Sequence, residues 1–290
     1  MRVGVVFPQT ELGGDVGAVR AYGQGVEDLG FAHLLAYDHV LGADPAVHAP
    51  WRGPYDLATT FHEPFVMFGY LAGVTTTLEL VTGIVILPQR QTALVAKQAA
   101  EVDLLAGGRF RLGVGLGWNA VEYAALGQRF DQRGRRLTEQ IGLLRRLWTE
   151  VSVTHDGEFD TITGAGLAPP PVQRPIPVWI GGSSDAAYRR IGRLADGWFP
   201  QLRPGDDLAH ALAVIAAAAG EAGRDPGAIG MEGRLRWDPS DPDRSVRQIG
   251  RWRDAGASHV AIDTMSVGLG GVDGHLTALA RAAAAAGLAP

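Results

Sequence analysis

The chain has 290 residues, of which 46% are hydrophobic and 20% are charged, and its formal net charge is −5 at pH 7. This composition is that of a globular protein and excludes a disordered chain dominated by one charge. The absence of cysteine excludes disulfides, thiolate catalysis and iron–sulfur clusters. The negative net charge argues against a broad basic face for nucleic acid.

Neither a membrane span nor a secretion signal is predicted. No run reaches the roughly 18 charge-free apolar residues that a membrane helix needs. The N-terminal run Met1–Phe7 is followed at once by Pro8, which is too soon for the apolar core of a signal peptide. We therefore predict a cytoplasmic protein that has neither a membrane nor a nucleic acid as partner.

Short apolar runs alternate with helical patterns along the whole chain. Runs that are apolar at nearly every position are typical of strands buried on both faces. The predicted strands are Val3–Phe7, Leu34–Tyr37, Leu80–Leu87, Phe110–Val114, Val178–Ile180, Gly197–Pro200, Ile229–Leu235 and His259–Ile262. Such an alternation of eight strands with helices, over about 250 residues or more, predicts one (β/α)8 TIM barrel spanning residues 1–290. A doubly wound open sheet is the alternative.

The segments between the strands carry helix signals. Pro64 suits the first turn of a helix that runs to about Gly73. Thr92 is the predicted cap of a helix that Gly107 ends, and a third helix is predicted to start near Asp131. The predicted caps of later helices are Ser184, Asp206 and Asp243.

Two stretches interrupt this alternation. Residues 42–62 contain several prolines and aromatic residues and have no period, and long loops of this kind are usually lids or binding loops. Residues 152–177 are predicted to hold a small hairpin before the fifth strand. Both are predicted to be insertion loops at the C-terminal mouth of the barrel.

Asp38-His39 directly follows the second predicted strand. In a barrel, polar residues at the C-terminal end of a strand face the active-site mouth. Histidine titrates near neutrality and serves as a general acid or base. Adjacent residues on a strand point to opposite faces, so Asp38 is not automatically the partner of His39. An ordinary turn after the strand is the structural alternative.

Glycines mark the end of the fourth predicted strand and the interior of the third. The segment 113–119, Gly-Val-Gly-Leu-Gly-Trp-Asn, fails the dinucleotide-binding spacing and follows the fourth strand instead of the first. Glycines there allow a flat ligand to approach the backbone, and Trp118 either walls a ring pocket or packs in the core. Gly83 lies inside the third strand, where glycine marks a bulge, a bend or a close approach.

Gly181-Gly182-Ser183 lies between the fifth strand and a helix, where exposed backbone N–H groups favour an anion such as phosphate. A structural tight turn is the alternative.

No His-Glu-x-x-His or Gly-x-Ser-x-Gly motif occurs, so no metal site and no serine nucleophile are predicted. The arginine-rich stretch 133–146 is either a solvated helix face or a contact for an acidic ligand tail.

Taken in order, these motifs resemble the luciferase-like monooxygenase superfamily. The most specific segment is 109–119, Arg-Phe-Arg-Leu-Gly-Val-Gly-Leu-Gly-Trp-Asn, followed by Glu122-Tyr123. The segments 38–40, 80–88 and 180–183 agree with it, and the match covers nearly the whole chain. The resemblance implies a (β/α)8 barrel that binds a flavin or a deazaflavin at its C-terminal mouth.

The Gly117-Trp118-Asn119 form of the motif, with Asp38-His39, is most similar to the branch that uses coenzyme F420. This coenzyme is an 8-hydroxy-5-deazaflavin with a phosphodiester and an oligoglutamate tail. The resemblance also implies a cis peptide between Gly83 and Ile84, behind the ring. The cofactor-binding residues that it implies are Asp38, Gly83, Ile84, Gly115, Gly117, Gly181, Gly182 and Ser183. The residues predicted to serve catalysis are Asp38, His39 and Trp118.

The predicted function is therefore F420-dependent hydride transfer to or from a small, apolar organic substrate. His39 is the predicted proton donor or acceptor, and Asp38 the group that orients or polarises. The branch that oxidises sugar phosphates has an acid in the fourth-strand motif, whereas Trp118 cannot act as one. The alternatives are an FMN-dependent monooxygenase supplied with reduced flavin by a separate reductase, and a cofactor-binding barrel without turnover. A homodimer is a further expectation.

Overall fold

The computed structural model describes residues 1–288. Its strands are β1 (Arg2–Val6), β2 (His33–Ala36), β3 (Glu79–Thr82), β4 (Val85–Ile86), β5 (Phe110–Gly115), β6 (Val153–Asp156), β7 (Thr161–Ala165), β8 (Val178–Gly181), β9 (Gly197–Phe199), β10 (Gly230–Arg236) and β11 (His259–Asp263). Its α-helices are α1 (Gln9–Leu12), α2 (Val16–Asp28), α3 (Pro64–Ala72), α4 (Thr92–Leu105), α5 (Ala120–Ala125), α6 (Arg133–Thr149), α7 (Asp185–Leu194), α8 (Asp206–Glu221), α9 (Pro242–Asp254) and α10 (Gly271–Ala286). Within residues 1–288, no helix has both the length and the apolar surface needed to cross a membrane.

The strands form a closed parallel barrel. The main sheet runs in the order β3-β2-β1-β11-β10-β9-β8-β5-β4, and β3 also pairs with β5. The closing pair aligns Leu80 with Phe110. Since β4 also pairs with β5, β3 and β4 are two parts of the third strand of an eight-stranded barrel. The TIM barrel is therefore confirmed against the open sheet.

Apolar side chains fill both sides of the barrel wall. One large buried cluster packs between the strands and the surrounding helices. A smaller cluster fills the barrel interior and consists of Val6, Leu35, Val81, Trp179, Phe199, Ala261 and Met265. This double burial explains why the strands read as nearly continuous apolar runs. Each of the eight predicted strands is present, and no end is displaced by more than one residue.

Two of the predicted helix caps, Ser184 and Asp243, have different outcomes. Ser184 caps α7 as predicted, and its Oγ accepts the Ala187 N–H at 3.3 Å. The cap of α9 is Asp241, whose carboxylate accepts a backbone N–H in the first turn, so the prediction of Asp243 is wrong. Pro242 takes the first helical position, for which its fixed φ is suited, and the cap must precede it.

Thr92 and Asp206 are also not caps. They are the first residues of α4 and α8, and Gln91 and Gly205 occupy the cap positions. The hydroxyl of Thr92 instead donates to Asp160 at 2.6 Å. A tertiary partner has therefore taken the hydroxyl that the sequence pattern assigned to the helix end.

The predicted hairpin in residues 152–177 is present as the antiparallel pair β6–β7. His155 lies 3.3 Å from Glu139 on α6, and Asp160 accepts the Thr92 hydroxyl at the start of α4. The hairpin follows a helix, not a strand, and it packs on the outer helices. Of the two insertions, only residues 42–62 contribute to the cavity at the barrel mouth, through Tyr55.

Buried charges close the opposite, N-terminal end of the barrel. Glu232 lies between His33 Nε2 at 2.9 Å and Arg111 Nη1 at 2.7 Å, and all three side chains are at most 3% exposed. Arg111 also binds Glu79 at 3.2 Å. Burial raises the pKa of Glu232, but the charges of His33 and Arg111 outweigh it and lower the pKa to about 2.

We expect Glu232→Gln to lower the free energy of unfolding by about 3–5 kcal/mol at pH 7, because removing one member of a buried ion pair leaves the others uncompensated. The folded-state pKa of Glu232 lies below its ordinary value of 4.5, so its contribution is complete above that pH. The contribution is lost as the pH falls from about 4.5 towards 2. Urea unfolding of both proteins across this range measures the difference.

Glu150→Gln is the matched control, since Glu150 pairs with Arg146 on the surface at 41% exposure. It should change unfolding much less, because solvent screens exposed pairs. Equal effects of the two substitutions, or an unfolding curve for Glu232→Gln that keeps the wild-type acid dependence, would show that the buried pair does not stabilise the barrel.

Candidate functional site

A cavity of about 740 Å³ opens at the C-terminal ends of the barrel strands. Its lining includes every residue that the sequence analysis assigned to the site, namely Asp38, His39, Gly83, Ile84, Gly115, Gly117, Trp118, Gly181, Gly182 and Ser183. These residues come from the ends of four neighbouring strands and the loops that follow them. Closure of the barrel therefore brings together groups that lie far apart in the sequence.

The third barrel strand is interrupted where it reaches this cavity. Gly83 and Ile84 separate β3 from β4, and the peptide bond between them is cis, as the resemblance implies. Thr82 braces the wall beneath, since its hydroxyl donates to the Gly113 carbonyl and accepts the Gly113 N–H, both at 2.8 Å. The interruption places Ile84 in the cavity wall.

The glycines around this interruption make room for isoleucine side chains. A Cβ atom on Gly115 would lie 2.8 Å from the side chain of Ile84, and one on Gly181 would lie 3.2 Å from it. A Cβ on Gly117, whose φ is +62°, would lie 2.8 Å from Ile86. Larger residues at these positions would displace the floor of the cavity. Packing of the two isoleucines, more than approach of a ligand, therefore requires glycine here.

Asp38 is buried, and both of its oxygens are engaged. Oδ1 accepts a hydrogen bond from Arg90 Nη2 at 2.8 Å, and Oδ2 accepts the Ile86 N–H at 3.0 Å. Burial raises the pKa of Asp38, and Arg90 partly opposes that rise. The geometry thus makes Asp38 an anchor for β4 at the cavity wall.

His39 does not bond to Asp38. Its Nδ1 lies 3.2 Å from Oε2 of Glu122, which is fully buried on α5. Nε2 of His39 has no hydrogen-bond partner within residues 1–288, and it is not buried. Since His39 lines the cavity, Nε2 is open to it. A carboxylate behind an imidazole with a free second nitrogen is an arrangement suited to proton transfer.

Aromatic rings surround His39 on its other sides. The ring centroids of Phe61, Tyr55 and Trp118 lie 4.8, 5.3 and 5.6 Å from that of His39. Trp51 in the long loop packs against Trp118 at 5.7 Å. The loop 42–62 therefore covers His39 with apolar surface, and Trp118 belongs to the cavity wall and not to the core.

A second feature of the cavity is a group of free backbone donors before α7. The N–H groups of Ser183 and Ser184 have no acceptor among the described residues, whereas the pairing of Gly181 with Phe199 directs the Gly182 N–H towards β9. They stand next to the N-terminus of α7, where the helix dipole favours negative charge. A Cβ on Gly182 would lie 2.6 Å from the Cβ of Ala187, so a larger residue there would disturb α7 as well as a bound anion.

Two arginines add positive charge to the same end of the cavity. Arg133 and Arg190 both line it, and neither has a carboxylate within 4.0 Å in the part of the chain that the structure describes. Arg190 is held by Thr138 Oγ1 at 3.0 Å and by the Gly134 carbonyl at 3.1 Å. The Nε of Arg133 is buried without a partner. This end of the cavity is therefore built to receive an anion.

The remainder of the arginine-rich stretch contributes less than the sequence suggested. Arg135, Arg145 and Arg146 are each paired with a carboxylate on the outer surface. Of the arginines in residues 133–146, only Arg133 lines the cavity. A contact between an acidic tail and this helix would therefore have to use Arg133.

The opposite wall carries polar groups that the sequence analysis missed. Arg234 on β10 donates to the Tyr37 hydroxyl at 2.7 Å and to Gln201 Oε1 at 3.1 Å. Asp263, at the end of β11, also lines this wall, and burial raises its pKa. Their only sequence signal is that each lies at or near the C-terminal end of a predicted strand.

Glu122 is the most important residue that was assigned no role. It stands three residues after Asn119, which caps α5, and this spacing normally indicates a capping box in which the glutamate reaches back to the cap. Here the side chain turns to His39 and to the backbone after β2 instead. The sequence signal was present, but it indicated a local contact.

Comparisons with known proteins agree with this geometry. A family model described as luciferase-like monooxygenase matches residues 1–235. An uncharacterised protein of Mycobacterium tuberculosis is 40% identical over 164 residues, which make up 57% of this chain and 56% of that protein. The chain thus spans little more than half the length of that relative.

Two relatives carry functional names. An F420-dependent hydroxymycolic acid dehydrogenase of Mycobacterium tuberculosis is 30% identical over 254 residues, covering 87% of this chain and 66% of that protein. An FMNH(2)-dependent dimethylsulfone monooxygenase of Pseudomonas putida is 35% identical over 142 residues, covering 48% and 39%.

A solved structure shares the fold. The F420-dependent secondary alcohol dehydrogenase in complex with an F420–acetone adduct has a TM-score of 0.79 and 16% identity, and the superposition covers 98% of each chain. Together with the family model, which matches most of the chain, these relatives show that the chain belongs to the luciferase-like monooxygenase family of oxidoreductases.

Proposed function

We propose that the chain is an oxidoreductase that binds coenzyme F420 in the barrel mouth and exchanges a hydride between it and a small, apolar organic substrate. The observation that carries this proposal is a single cavity that joins an anion-binding end to a histidine with a free Nε2. The anion-binding end can hold the phosphodiester of a cofactor. The histidine can accept or donate the proton that must move whenever a hydride leaves an alcohol carbon or enters a carbonyl carbon.

The anion-binding end fits a phosphate group in charge and in donors. The free N–H groups of Ser183 and Ser184 would bind phosphate oxygens, with the helix dipole of α7 behind them. Arg133 and Arg190, which both line this end of the cavity, would neutralise its charge. Ile84 and Ile86 offer an apolar floor for a flat ring.

A bound deazaflavin supplies the hydride donor or acceptor. The chain supplies the proton chemistry and the surroundings. In the oxidising direction, Nε2 of His39 takes the proton of the substrate hydroxyl, and in the reducing direction the same atom returns it. Tyr55, Phe61 and Trp118 exclude water from His39, which keeps the proton transfer confined to the substrate.

The surroundings of His39 also support an apolar substrate. The part of a substrate that meets Nε2 would lie against aromatic rings, and the buried Glu122 is the only charged side chain within residues 1–288 that forms a hydrogen bond with the imidazole. The names of two relatives, a hydroxymycolic acid dehydrogenase and a secondary alcohol dehydrogenase, support a hydroxyl group flanked by hydrocarbon.

An FMN-dependent monooxygenase is the second candidate, and the dimethylsulfone monooxygenase among the relatives favours it. FMN carries a phosphate that the same donors would bind. In that case a separate reductase would deliver reduced flavin, and oxygen would be consumed. The two candidates therefore differ in cofactor preference and in oxygen use.

We expect F420 to bind at least ten-fold more tightly than FMN, because its oligoglutamate tail adds negative charges, absent from FMN, near Arg133 and Arg190. Fluorescence titration of the purified protein with each cofactor measures this difference, and raising the salt concentration should weaken F420 binding. Tighter binding of FMN, together with oxygen consumption when reduced FMN and substrate are present, would establish the monooxygenase instead.

Arg190→Gln should weaken F420 binding about ten-fold or more, since a hydrogen bond to a charged group contributes about 1.5–3 kcal/mol. Arg189→Gln is the control, because Arg189 lies on the same helix, is 55% exposed and pairs with Asp185. The control removes the same charge but should keep the wild-type dissociation constant. Equal affinities in all three proteins would remove Arg190 from the cofactor site.

His39→Asn should lower turnover by about 10²–10⁴-fold while F420 affinity stays within about two-fold, because the imidazole moves a proton and does not hold the phosphate. Stopped-flow absorbance of the coenzyme with a panel of secondary alcohols and ketones measures turnover. His210→Asn, an exposed histidine on α8, is the control. Full activity of His39→Asn on an accepted substrate would leave His39 with a structural role only.

A further inference from the structure

We infer that Glu122 is the positioning residue that holds His39 in the tautomer with hydrogen on Nδ1, so that Nε2 faces the cavity as a proton acceptor. The inference rests on the proposed function for the use of that proton, but the tautomer itself can be measured without any substrate. It assigns a role to a buried carboxylate that the proposed proton transfer does not itself use.

The contacts of Glu122 fix what each of its oxygens must do. Oε1 accepts the backbone N–H groups of Val40 and Leu41, the second at 3.2 Å. Oε2 lies 3.2 Å from Nε2 of Gln89 and 3.2 Å from Nδ1 of His39. A backbone N–H can only donate, so the Oε1 position must hold an acceptor.

The carboxylate is ionised at neutral pH. Burial raises the pKa of Glu122, but hydrogen bonds from His39 and from the Val40 and Leu41 N–H groups outweigh burial and leave the pKa below its ordinary value. An ionised carboxylate has no proton to donate. The hydrogen between Oε2 and the imidazole must therefore reside on Nδ1 of His39, and a neutral imidazole then has its lone pair on Nε2.

Glu122 also fixes where the imidazole stands. It joins α5, at the end of the fourth barrel strand, to the backbone that follows β2. The rings of Tyr55 and Phe61 restrict the other faces of the imidazole. The same side chain thus sets both the position and the protonation pattern of His39.

Glu122→Gln separates these two effects. The two backbone N–H groups require an oxygen at the Oε1 position, so the new amide places its NH₂ at the Oε2 position, next to His39. The amide of Gln89, which donates to Oε2 in the wild type, then turns so that its oxygen accepts from this NH₂. Facing a donor, Nδ1 of a neutral imidazole must become the acceptor, and the hydrogen moves to Nε2. The substitution therefore keeps the shape of the side chain and inverts the tautomer.

The test uses ¹⁵N-histidine NMR of the full chain at about pH 8.5, where an ordinary imidazole is neutral. The His39 signals are assigned by their absence in His39→Asn. We expect a protonated Nδ1 and an unprotonated Nε2 in the wild type, the reverse in Glu122→Gln, and a fall in turnover of about 10²–10⁴-fold with unchanged F420 affinity.

Glu139→Gln is the matched control, because Glu139 also binds backbone N–H groups and a histidine, His155, but does not line the cavity. It should leave the His39 signals and turnover unchanged. A protonated Nε2 in the wild type overturns the inference even if Glu122→Gln fails to fold, and so does an unchanged tautomer in a folded Glu122→Gln. An inverted tautomer with full turnover supports the positioning role and overturns the proposed proton transfer through His39.

Discussion

The packing of Ile84 and Ile86 into the mouth of the barrel is the constraint on which the rest of the site depends. Their side chains occupy the space that Cβ atoms on Gly115 and Gly117 would need, and they pack closely against Gly181. Asp38 then holds the backbone of Ile86, and Arg90 holds Asp38. The floor and the wall of the cavity are therefore one packed unit, in which close packing tolerates little change in volume.

The distribution of charge separates positioning groups from groups that await a ligand. Asp38 and Glu122 are buried carboxylates whose oxygens are all engaged, by Arg90, by His39 and by backbone N–H groups. Arg133 and Arg190, by contrast, have no carboxylate within 4.0 Å in the described part of the chain. A buried polar group without a partner is unfavourable unless a ligand completes it. The cavity therefore carries arginine side chains whose positive charge no carboxylate of residues 1–288 neutralises by direct contact.

The two ends of the barrel differ in how their charged and polar groups are paired. At the N-terminal end, Glu232, His33 and Arg111 bind one another inside the barrel and stabilise it. At the C-terminal mouth, the free donors before α7 and the open Nε2 of His39 are left for a ligand. This division is the usual one in barrels of this kind, in which stability is concentrated at one end and chemistry at the other.

The sequence by itself determined the eight strands, the barrel they form and the strand ends that carry the site, because fully buried parallel strands leave continuous apolar runs and barrel sites lie at strand ends. The roles of the side chains were decided only by the tertiary structure. Asp38 and His39 are neighbours in sequence but bind Arg90 and Glu122, residues 52 and 83 positions away. The spacing of Glu122 from Asn119 indicates only a local capping box, and nothing in the sequence distinguishes Arg190 from the other arginines. Their partners come from other strands and helices, and no local spacing encodes a contact that exists only once the barrel has closed.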